Sequence, residues 1–334
     1  MNAFKPWLAL PPKLAHDLSS VGVELYSALF GSNQRTEWMP FDFQGLQFSN
    51  RLGIAGGVDK NAEHCNSYQR IGCGFIEVGT VTPLAQGPNP GKIIDRDLQS
   101  KALWNKMGFP SHGMDEAFYN LQKFNSQIPV FVNVGKNRTT PNDLAHQDYL
   151  KCIKRLKSVA DAIVINISSP NTSGLRDLLK PENLEKFLTP LISDRESQGT
   201  QPIPYLLKLS PDLRPEELAG ATQIAMDQGF DGFIVTNTTL SREHLSPEAS
   251  MRFPAEGGVS GQPLRHLSQK ALEIVLNSVA QQRQKKLIVS TGGVMTPEDV
   301  FERIRSGADL VQVYSALVFE GPGFFKQVAE RAKR

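Results

Sequence analysis

The sequence predicts an α/β fold, a (β/α)8 TIM barrel of parallel strands with an N-terminal helical extension. The first observation is a set of eight short apolar runs without apolar–polar alternation, which is typical of strands covered on both faces. The second is that helical patterns separate these runs. The predicted strands are residues 52–57, 75–81, 130–135, 162–167, 205–209, 232–236, 287–291 and 310–314. Predicted helices between them include residues 143–158, 215–228, 267–280 and 297–306.

We divide the chain into an N-terminal extension, residues 1–40, and a barrel domain, residues 41–334. Residues 12–30 predict an amphipathic helix, and the alternating residues 41–48 predict a β-hairpin. One stripe of the helix carries Leu14, Leu18, Val21, Leu25 and Leu29. This stripe either packs against the barrel or forms an apolar patch for membrane contact, which Trp7 and Leu8 would extend.

Two connections are longer than a simple βαβ unit needs, between the second and third strands and between the sixth and seventh. The additional residues are 93–110 and 238–263. Both follow a strand directly, so both belong to the end of the barrel where such enzymes keep their active sites. We therefore expect a covered pocket with a lid.

The loop after the fourth strand is the most specific stretch of the chain, Asn166-Ile167-Ser168-Ser169-Pro170-Asn171-Thr172. An asparagine amide offers both a donor and an acceptor, which suits a neutral planar amide or imide ring. Asn105 and Asn237 would add amides from other loops, and Asn133 ends the third strand. A single asparagine is commonly a turn former, but several at one barrel mouth predict a binding site.

Glycines follow other strands at the same end of the barrel. The first strand ends Ala55-Gly56-Gly57-Val58-Asp59-Lys60, which forms either a tight turn or a close approach to a flat ligand. Gly292-Gly293 and Tyr314-Ser315, with residues 257–261, predict a phosphate site, because barrel enzymes often bind phosphate after strands seven and eight. No G-x-G-x-x-G follows a strand, which argues against a dinucleotide-binding site.

Lys208 is the only charge in its predicted strand, and a buried lysine needs a partner. A flavin is one candidate, because its ring becomes anionic on reduction and a fixed ammonium stabilises that charge. A neighbouring acid is the other, and Asp59 is the candidate. The six histidines are scattered, and we interpret them as surface or structural residues. Ser169 is left as the best-placed general base.

Bulk properties exclude several other classes of protein. The 334 residues are 40% hydrophobic and 21% charged, with a net charge of +2 and no blocks of like charge, so nucleic-acid binding is not expected. The three cysteines show no metal-ligand spacing, which predicts a reducing compartment and no metal site. No apolar stretch is long enough to span a membrane and no signal peptide is evident, so any membrane contact is expected to be peripheral.

Together and in order, these motifs resemble dihydroorotate dehydrogenases from about residue 40 to the C-terminus. The matching stretches are residues 55–60, 79–83, 105–109, 133–137, 166–172, 208, 236–239, 257–261, 292–293 and 314–315. Ser169 stands where cytosolic class 1 members have cysteine. Quinone-dependent class 2 members have serine there and carry an N-terminal helical extension, so the chain resembles class 2.

The resemblance implies oxidation of (S)-dihydroorotate to orotate in UMP biosynthesis, with FMN as hydride acceptor and a membrane quinone, ubiquinone or menaquinone, as final acceptor. It implies a monomer that contacts the membrane peripherally through the N-terminal helix; without a transit peptide, the cytoplasmic side of a bacterial inner membrane is expected. The implied catalytic residues are Ser169, which removes the C5 proton, Thr172 in a relay with water, Lys60 and Lys208. The implied FMN-binding residues are Ala55, Gly56, Gly57, Val58, Asp59, Lys60, Thr80, Asn133, Asn166, Lys208, Thr236, Gly261, Gly293, Tyr314 and Ser315. The implied substrate-binding residues are Lys60, Asn105, Lys106, Met107, Gly108, Phe109, Asn166, Asn171, Asn237 and Thr238.

Three alternatives stay open on the sequence. The nearest is a class 1 enzyme that uses fumarate or NAD. A non-redox phosphate-binding barrel, such as an isomerase or aldolase, would use Lys208 to form a Schiff base. A non-catalytic, membrane-associated binding protein would leave the amide cluster without a role.

Overall fold

Eight parallel strands close into a barrel in the computed structural model, which describes residues 5–196, 203–282 and 284–334. The strands of the described chain are β1 (Phe41–Phe43), β2 (Leu46–Phe48), β3 (Leu52–Asp59), β4 (Phe75–Val81), β5 (Ile94–Asp97), β6 (Ala102–Asn105), β7 (Val130–Val134), β8 (Ala162–Asn166), β9 (Tyr205–Leu209), β10 (Gly232–Val235), β11 (Gly258–Gly261), β12 (Leu287–Thr291) and β13 (Leu310–Val313). Around the barrel the order is β3, β4, β7, β8, β9, β10, β12 and β13, which returns to β3. The predicted TIM barrel is therefore confirmed, and its predicted strands differ from the observed ones by no more than two residues at the carboxyl end.

The helices pack around the barrel and bury the outer face of its strands. Those of the described chain are α1 (Pro12–Asp17), α2 (Ser19–Phe30), α3 (Cys65–Arg70), α4 (Met114–Lys123), α5 (Ala145–Leu156), α6 (Pro181–Glu196), α7 (Pro215–Asp227), α8 (Pro247–Arg252), α9 (Arg265–Val279), α10 (Pro297–Arg305), α11 (Ser315–Glu320) and α12 (Phe324–Ala332). The start of α10 shows how sequence fixes a helix end. The Thr296 hydroxyl accepts from the Asp299 N–H at 3.2 Å, and the Asp299 carboxylate accepts from the Thr296 N–H at 2.9 Å.

The hairpin of β1 and β2 closes the amino end of the barrel. Phe48 is buried there and makes edge-on contacts with Phe75 and Phe131, at ring-centroid distances of 5.8 and 6.1 Å. These rings belong to an apolar cluster that fills this end of the barrel. Because apolar side chains fill the amino end of the barrel, we look for a ligand site at the carboxyl end of the strands.

The N-terminal extension differs from the single helix predicted over residues 12–30. The helix is interrupted at Leu18, where the Ser19 hydroxyl donates to the His16 carbonyl at 2.6 Å and competes with the helical backbone bonds. The predicted apolar stripe faces solvent: its five residues are 45–66% exposed, while Val23 and Ser27 on the opposite face are buried. Among the described residues, the structure shows no helix that is long and apolar enough to cross a membrane.

Trp7 and Leu8 do not extend this exposed stripe, contrary to the sequence interpretation. The Trp7 indole N–H donates to the Val318 carbonyl at 2.7 Å, and Leu8 packs against a small cluster that contains Phe319. Both side chains therefore hold the start of the chain against α11, because each finds an apolar surface there.

The two predicted insertions form one sheet with each other. Strands β5 and β6 come from the first insertion and β11 from the second, and they pair antiparallel in the order β11-β6-β5. Asn105 lies opposite Gly258, which brings together segments far apart in the chain. The sequence predicted a lid but not this pairing.

Candidate active site

A cavity opens at the carboxyl end of the barrel, between the barrel strands and the three-stranded sheet. Its empty space, including the open mouth, is about 1100 Å³. The predicted site residues that line it are Ala55, Gly56, Gly57, Lys60, Thr80, Asn105, Met107, Gly108, Phe109, Asn166, Ser169, Asn171, Lys208, Thr236, Asn237, Thr238, Gly293, Tyr314 and Ser315. The fold thus brings most of the predicted site residues to one opening.

Predicted site residues that do not line this cavity are Val58, Asp59, Lys106, Asn133, Thr172 and Gly261. Lys106 forms an ion pair with Glu256, and the Asn133 amide donates to Glu77 at 2.5 Å beneath the cavity. Thr172 is buried. All of them except Asn133 are next in sequence to a residue that does line the cavity.

The predicted asparagines form two hydrogen-bonded groups, one of Asn105 with Asn171 and one around Asn166 and Asn237. The Asn171 amide donates to Asn105 Oδ1 at 2.8 Å, the Asn166 amide donates to Thr80 Oγ1 at 2.9 Å, and the Asn237 amide donates to Ser168 Oγ at 3.1 Å. Asn171 Oδ1 and Thr238 Oγ1 are buried without a partner within the described chain. A buried polar atom left unpaired is costly, so these atoms suit a ligand with matching polar groups.

Ser169 stands beside these asparagines with its hydroxyl free to act. Its side chain is buried, and its Oγ accepts from the Asn171 N–H at 3.2 Å. The neighbouring Ser168 hydroxyl is already engaged, because it donates to Asn166 Oδ1 at 3.2 Å and accepts from Asn237. Of the two serines, Ser169 is therefore the one that can exchange a proton with a ligand.

Lys208 finds its partner in Glu77, not in the predicted Asp59. Its ammonium donates to Glu77 Oε1 at 2.8 Å, and both side chains are almost fully buried inside the barrel. The Asp59 carboxylate is occupied elsewhere, because it accepts from the backbone N–H groups of Glu63 at 2.9 Å and His64 at 2.8 Å. Burial raises the pKa of Asp59, and these two backbone donors oppose that rise.

Lys60 connects the cavity to the N-terminal extension. Its Nζ lies 3.3 Å from His16 Nε2, a contact that the scattered histidines of the sequence did not predict. Burial lowers the pKa of Lys60, against the attraction of Asp59 and Glu63. Burial also lowers the pKa of His16, and the charge of Lys60 adds to that effect. Beside the Lys60 ammonium, the neutral form of His16 is therefore favoured.

The predicted phosphate loop depends on an arginine that sequence reasoning missed. Gly293 has a φ of +72°, and a Cβ there would lie 2.3 Å from Arg265 Cα, so the loop packs directly on the start of α9. Arg303 is buried and donates to Ser268 Oγ at 2.7 Å and to the Gly292 carbonyl at 3.0 Å. Burial lowers the pKa of Arg303 to about 10. Helical spacing could have indicated that Arg303 is buried. It follows the buried Val300 by three residues, so the two side chains lie on the same face of the helix.

Over residues 5–196, 203–282 and 284–334, no group of three or more His, Cys, Asp or Glu side chains is placed to hold a metal ion.

Comparison with known proteins places this geometry in a family. A family model described as dihydroorotate dehydrogenase matches residues 39–334. The "Dihydroorotate dehydrogenase (quinone)" of Deinococcus radiodurans is 40% identical over 324 residues, which cover 96% of this chain and 85% of that protein. The protein of the same name from Marinobacter nauticus is 35% identical over 331 residues, 97% of this chain and 96% of its own.

Solved structures agree with this assignment. The structure of DHODH from Eimeria tenella in complex with ferulenol has a TM-score of 0.85 and 33% sequence identity, and the match covers 96% of this chain and 90% of that one. A ligand-free structure from the same organism has a TM-score of 0.83 at 32% identity, covering 94% and 93%. The chain therefore belongs to the quinone-dependent dihydroorotate dehydrogenase family and is an oxidoreductase.

Proposed function

We propose that this chain oxidises (S)-dihydroorotate to orotate in de novo pyrimidine biosynthesis, with bound FMN accepting the hydride and passing the electrons to a membrane quinone. The observation that carries the proposal is the convergence of Ser169, four asparagine amides and Lys208 on one cavity. Dihydroorotate is a small cyclic imide, and amide side chains complement its donors and acceptors.

The cavity fits a flavin with a phosphate tail. Gln312 lines it and leaves Oε1 buried without a partner in the described chain, so a polar ligand is needed there. Gly57 lines it at a φ of +95°, a backbone conformation that favours glycine, and lies next to the Tyr314 ring. Gly293, in the loop between β12 and α10, and Ser315, at the start of α11, would offer backbone N–H groups for a phosphate. Lys208 would stand beside the ring.

The chain's own residues would position the substrate and remove one proton. Asn105, Asn166, Asn171 and Asn237 would hold the dihydroorotate ring. Ser169 would take the C5 proton through its free hydroxyl. Serine is a weak base, so it needs a relay, for which Thr172 and a water are our candidates.

The test is an anaerobic mixture of purified protein and dihydroorotate, followed by loss of the yellow flavin absorbance. Ser169→Ala is expected to keep its FMN and to slow this loss at least about 100-fold, the lower range for general base catalysis. Ser210→Ala is the matched control, because Ser210 is buried at the end of β9 but does not line the cavity. A colourless protein, or unchanged reduction by the Ser169 variant, contradicts the proposal.

We further propose that residues 1–40 form a membrane and quinone-access extension and that residues 41–334 form the FMN-binding catalytic domain. The exposed stripe of α1 and α2 supports this division, because an apolar face of that size suits a lipid interface. The protein would act as a monomer bound peripherally to the cytoplasmic side of a bacterial inner membrane. An acceptor assay tests the route of the electrons: turnover with ubiquinone or menaquinone is expected, and turnover with fumarate or NAD alone contradicts it.

A further inference from the structure

A buried carboxylate lies beneath the cavity, within the barrel. Glu77 on β4 is fully buried, and both its oxygens accept hydrogen bonds. Oε1 accepts from Asn133 at 2.5 Å and from Lys208 at 2.8 Å, and Oε2 accepts from Gln312 at 2.6 Å. These partners come from three other barrel strands, so the carboxylate is held rigidly in place.

Single side chains separate this carboxylate from the cavity. Lys208 and Gln312 both line the cavity and both bind Glu77. A Cβ at Gly56, which also lines the cavity, would lie 2.4 Å from Glu77 Oε1. A tight turn and a close approach to a flat ligand were the two interpretations of Gly56 from the sequence, and the structure adds that its missing side chain leaves room for Glu77.

We propose that Glu77 is a positioning residue that sets the reduction potential of the bound flavin through Lys208. The inference rests on the proposed function, because it requires FMN in the cavity. Reduction adds negative charge to a flavin, and an isolated ammonium beside the ring would favour that charge. Glu77 offsets the ammonium, since a paired lysine and carboxylate carry no net charge. The pair therefore keeps the flavin reducible by substrate but still able to give its electrons to a quinone.

A purely structural role for the pair makes a different prediction. Buried ion pairs contribute little net stability, and replacing both members with neutral groups is often tolerated. If Glu77 only held the barrel together, its replacement would lower stability and leave the potential where it was. The potential therefore separates the two roles.

The experiment is an equilibrium redox titration of the FMN-loaded protein against a reference dye. All variants are titrated at one and the same pH. Glu77→Gln is expected to increase the equilibrium constant for flavin reduction at least tenfold, which is about 30 mV for a two-electron couple. Glu77→Asp keeps the charge and is expected to stay within about threefold of the unmodified protein. An unchanged or lower potential in Glu77→Gln, or equal shifts in both variants, overturns the proposal.

A double variant covers the case in which Glu77→Gln does not fold. Glu77→Gln combined with Lys208→Met removes both charges, so no buried ion is left unpaired. Its potential is expected to return to within about threefold of the unmodified protein in equilibrium constant, while Lys208→Met alone shifts it downward. A double variant that keeps the downward shift of Lys208→Met overturns the proposal.

The unmodified protein separates this inference from the proposed function. If it holds no flavin, the proposed function and this inference both fail. If it holds a flavin that dihydroorotate does not bleach, only the proposed function fails, because the redox titration of the variants can still be done. If it binds flavin and is bleached by dihydroorotate, an absent shift in the variants overturns only the role of Glu77.

Discussion

Replacing Arg303 with methionine tests whether one buried guanidinium holds the loop that we propose for the phosphate. The side chain is 1% exposed and lies on the inner face of α10. It donates to Ser268 Oγ at 2.7 Å and to the carbonyls of Gly292 at 3.0 Å and Arg265 at 3.2 Å. Methionine keeps most of the aliphatic length and removes every donor.

The structure sets the size of the effect. The hydrogen bonds of Arg303 go to neutral oxygens, and a buried acceptor that loses its donor costs about 1–3 kcal/mol. Two retained contacts favour the lower end of this range: Asp299 keeps its ion pair with Arg265 at 2.8 Å, and the Gly292 carbonyl keeps the Ser268 hydroxyl at 2.7 Å. Since several acceptors lose their donor at once, we expect the free energy of unfolding to fall by about 3 kcal/mol. The loosened loop should also raise the Kd of FMN about tenfold, equivalent to about 1.4 kcal/mol.

The assay is urea denaturation at one fixed FMN concentration, with an FMN titration of the apoprotein beside it. Arg305→Met is the matched control, because Arg305 lies on the same helix and is exposed. Its free energy of unfolding is expected to change by no more than about 0.5 kcal/mol. If the Arg303 and Arg305 variants unfold at the same urea concentration and bind FMN equally, the buried guanidinium does not anchor the loop.

Three further predictions concern the exposed leucine stripe, the ionisation of His16 and the space around Gly293. The double variant Leu25→Ser with Leu29→Ser is expected to bind phospholipid vesicles at least about tenfold more weakly in a sedimentation assay. The reason is that each leucine buried in the lipid is worth about 1.5–3 kcal/mol of binding free energy. Unchanged sedimentation would place the membrane contact elsewhere. The lowered pKa of His16 means that the folded state binds fewer protons than the unfolded one below pH 6.5. The stability that neutral His16 contributes is present above that pH and is lost as the pH falls through the lowered pKa. His16→Asn should therefore flatten the decline in Tm between pH 7 and 5. An identical dependence of Tm on pH in the variant would refute this. Gly293→Ala should destabilise the protein far more than Gly229→Ala. Both glycines have a positive φ, but of the two only Gly293 has backbone within 2.3 Å of the new Cβ. Equal denaturation midpoints of the two variants would contradict this geometry.

The barrel could be predicted because each of its strands leaves a local signal. Residues 75–81, 205–209 and 287–291 are mostly apolar runs, and the observed strands have the same bounds. The carboxyl ends of parallel strands meet at one face, so polar residues that follow different strands had to converge. Asn166 and Lys208 show this, since they pair across β8 and β9 and both line the cavity.

Contacts between distant segments leave no such signal. Glu77 lies within an apolar strand 131 residues before Lys208, and nothing in either segment identifies the other as its partner. The antiparallel pairing of β6 with β11 is similar, because each strand is short and its partner is fixed only when the barrel brings both insertions to one opening.

The sequence alone determined the parallel barrel and most of the residues at its mouth, because the apolar runs and the order of strands and loops are local properties of the chain. Tertiary structure decided the charge partner of Lys208, the contact of His16 with Lys60, and which face of α2 is exposed. An amphipathic pattern gives a helix two distinct faces, but the surface packed against it decides which one is covered. Here Val23 is covered and the leucine stripe faces solvent.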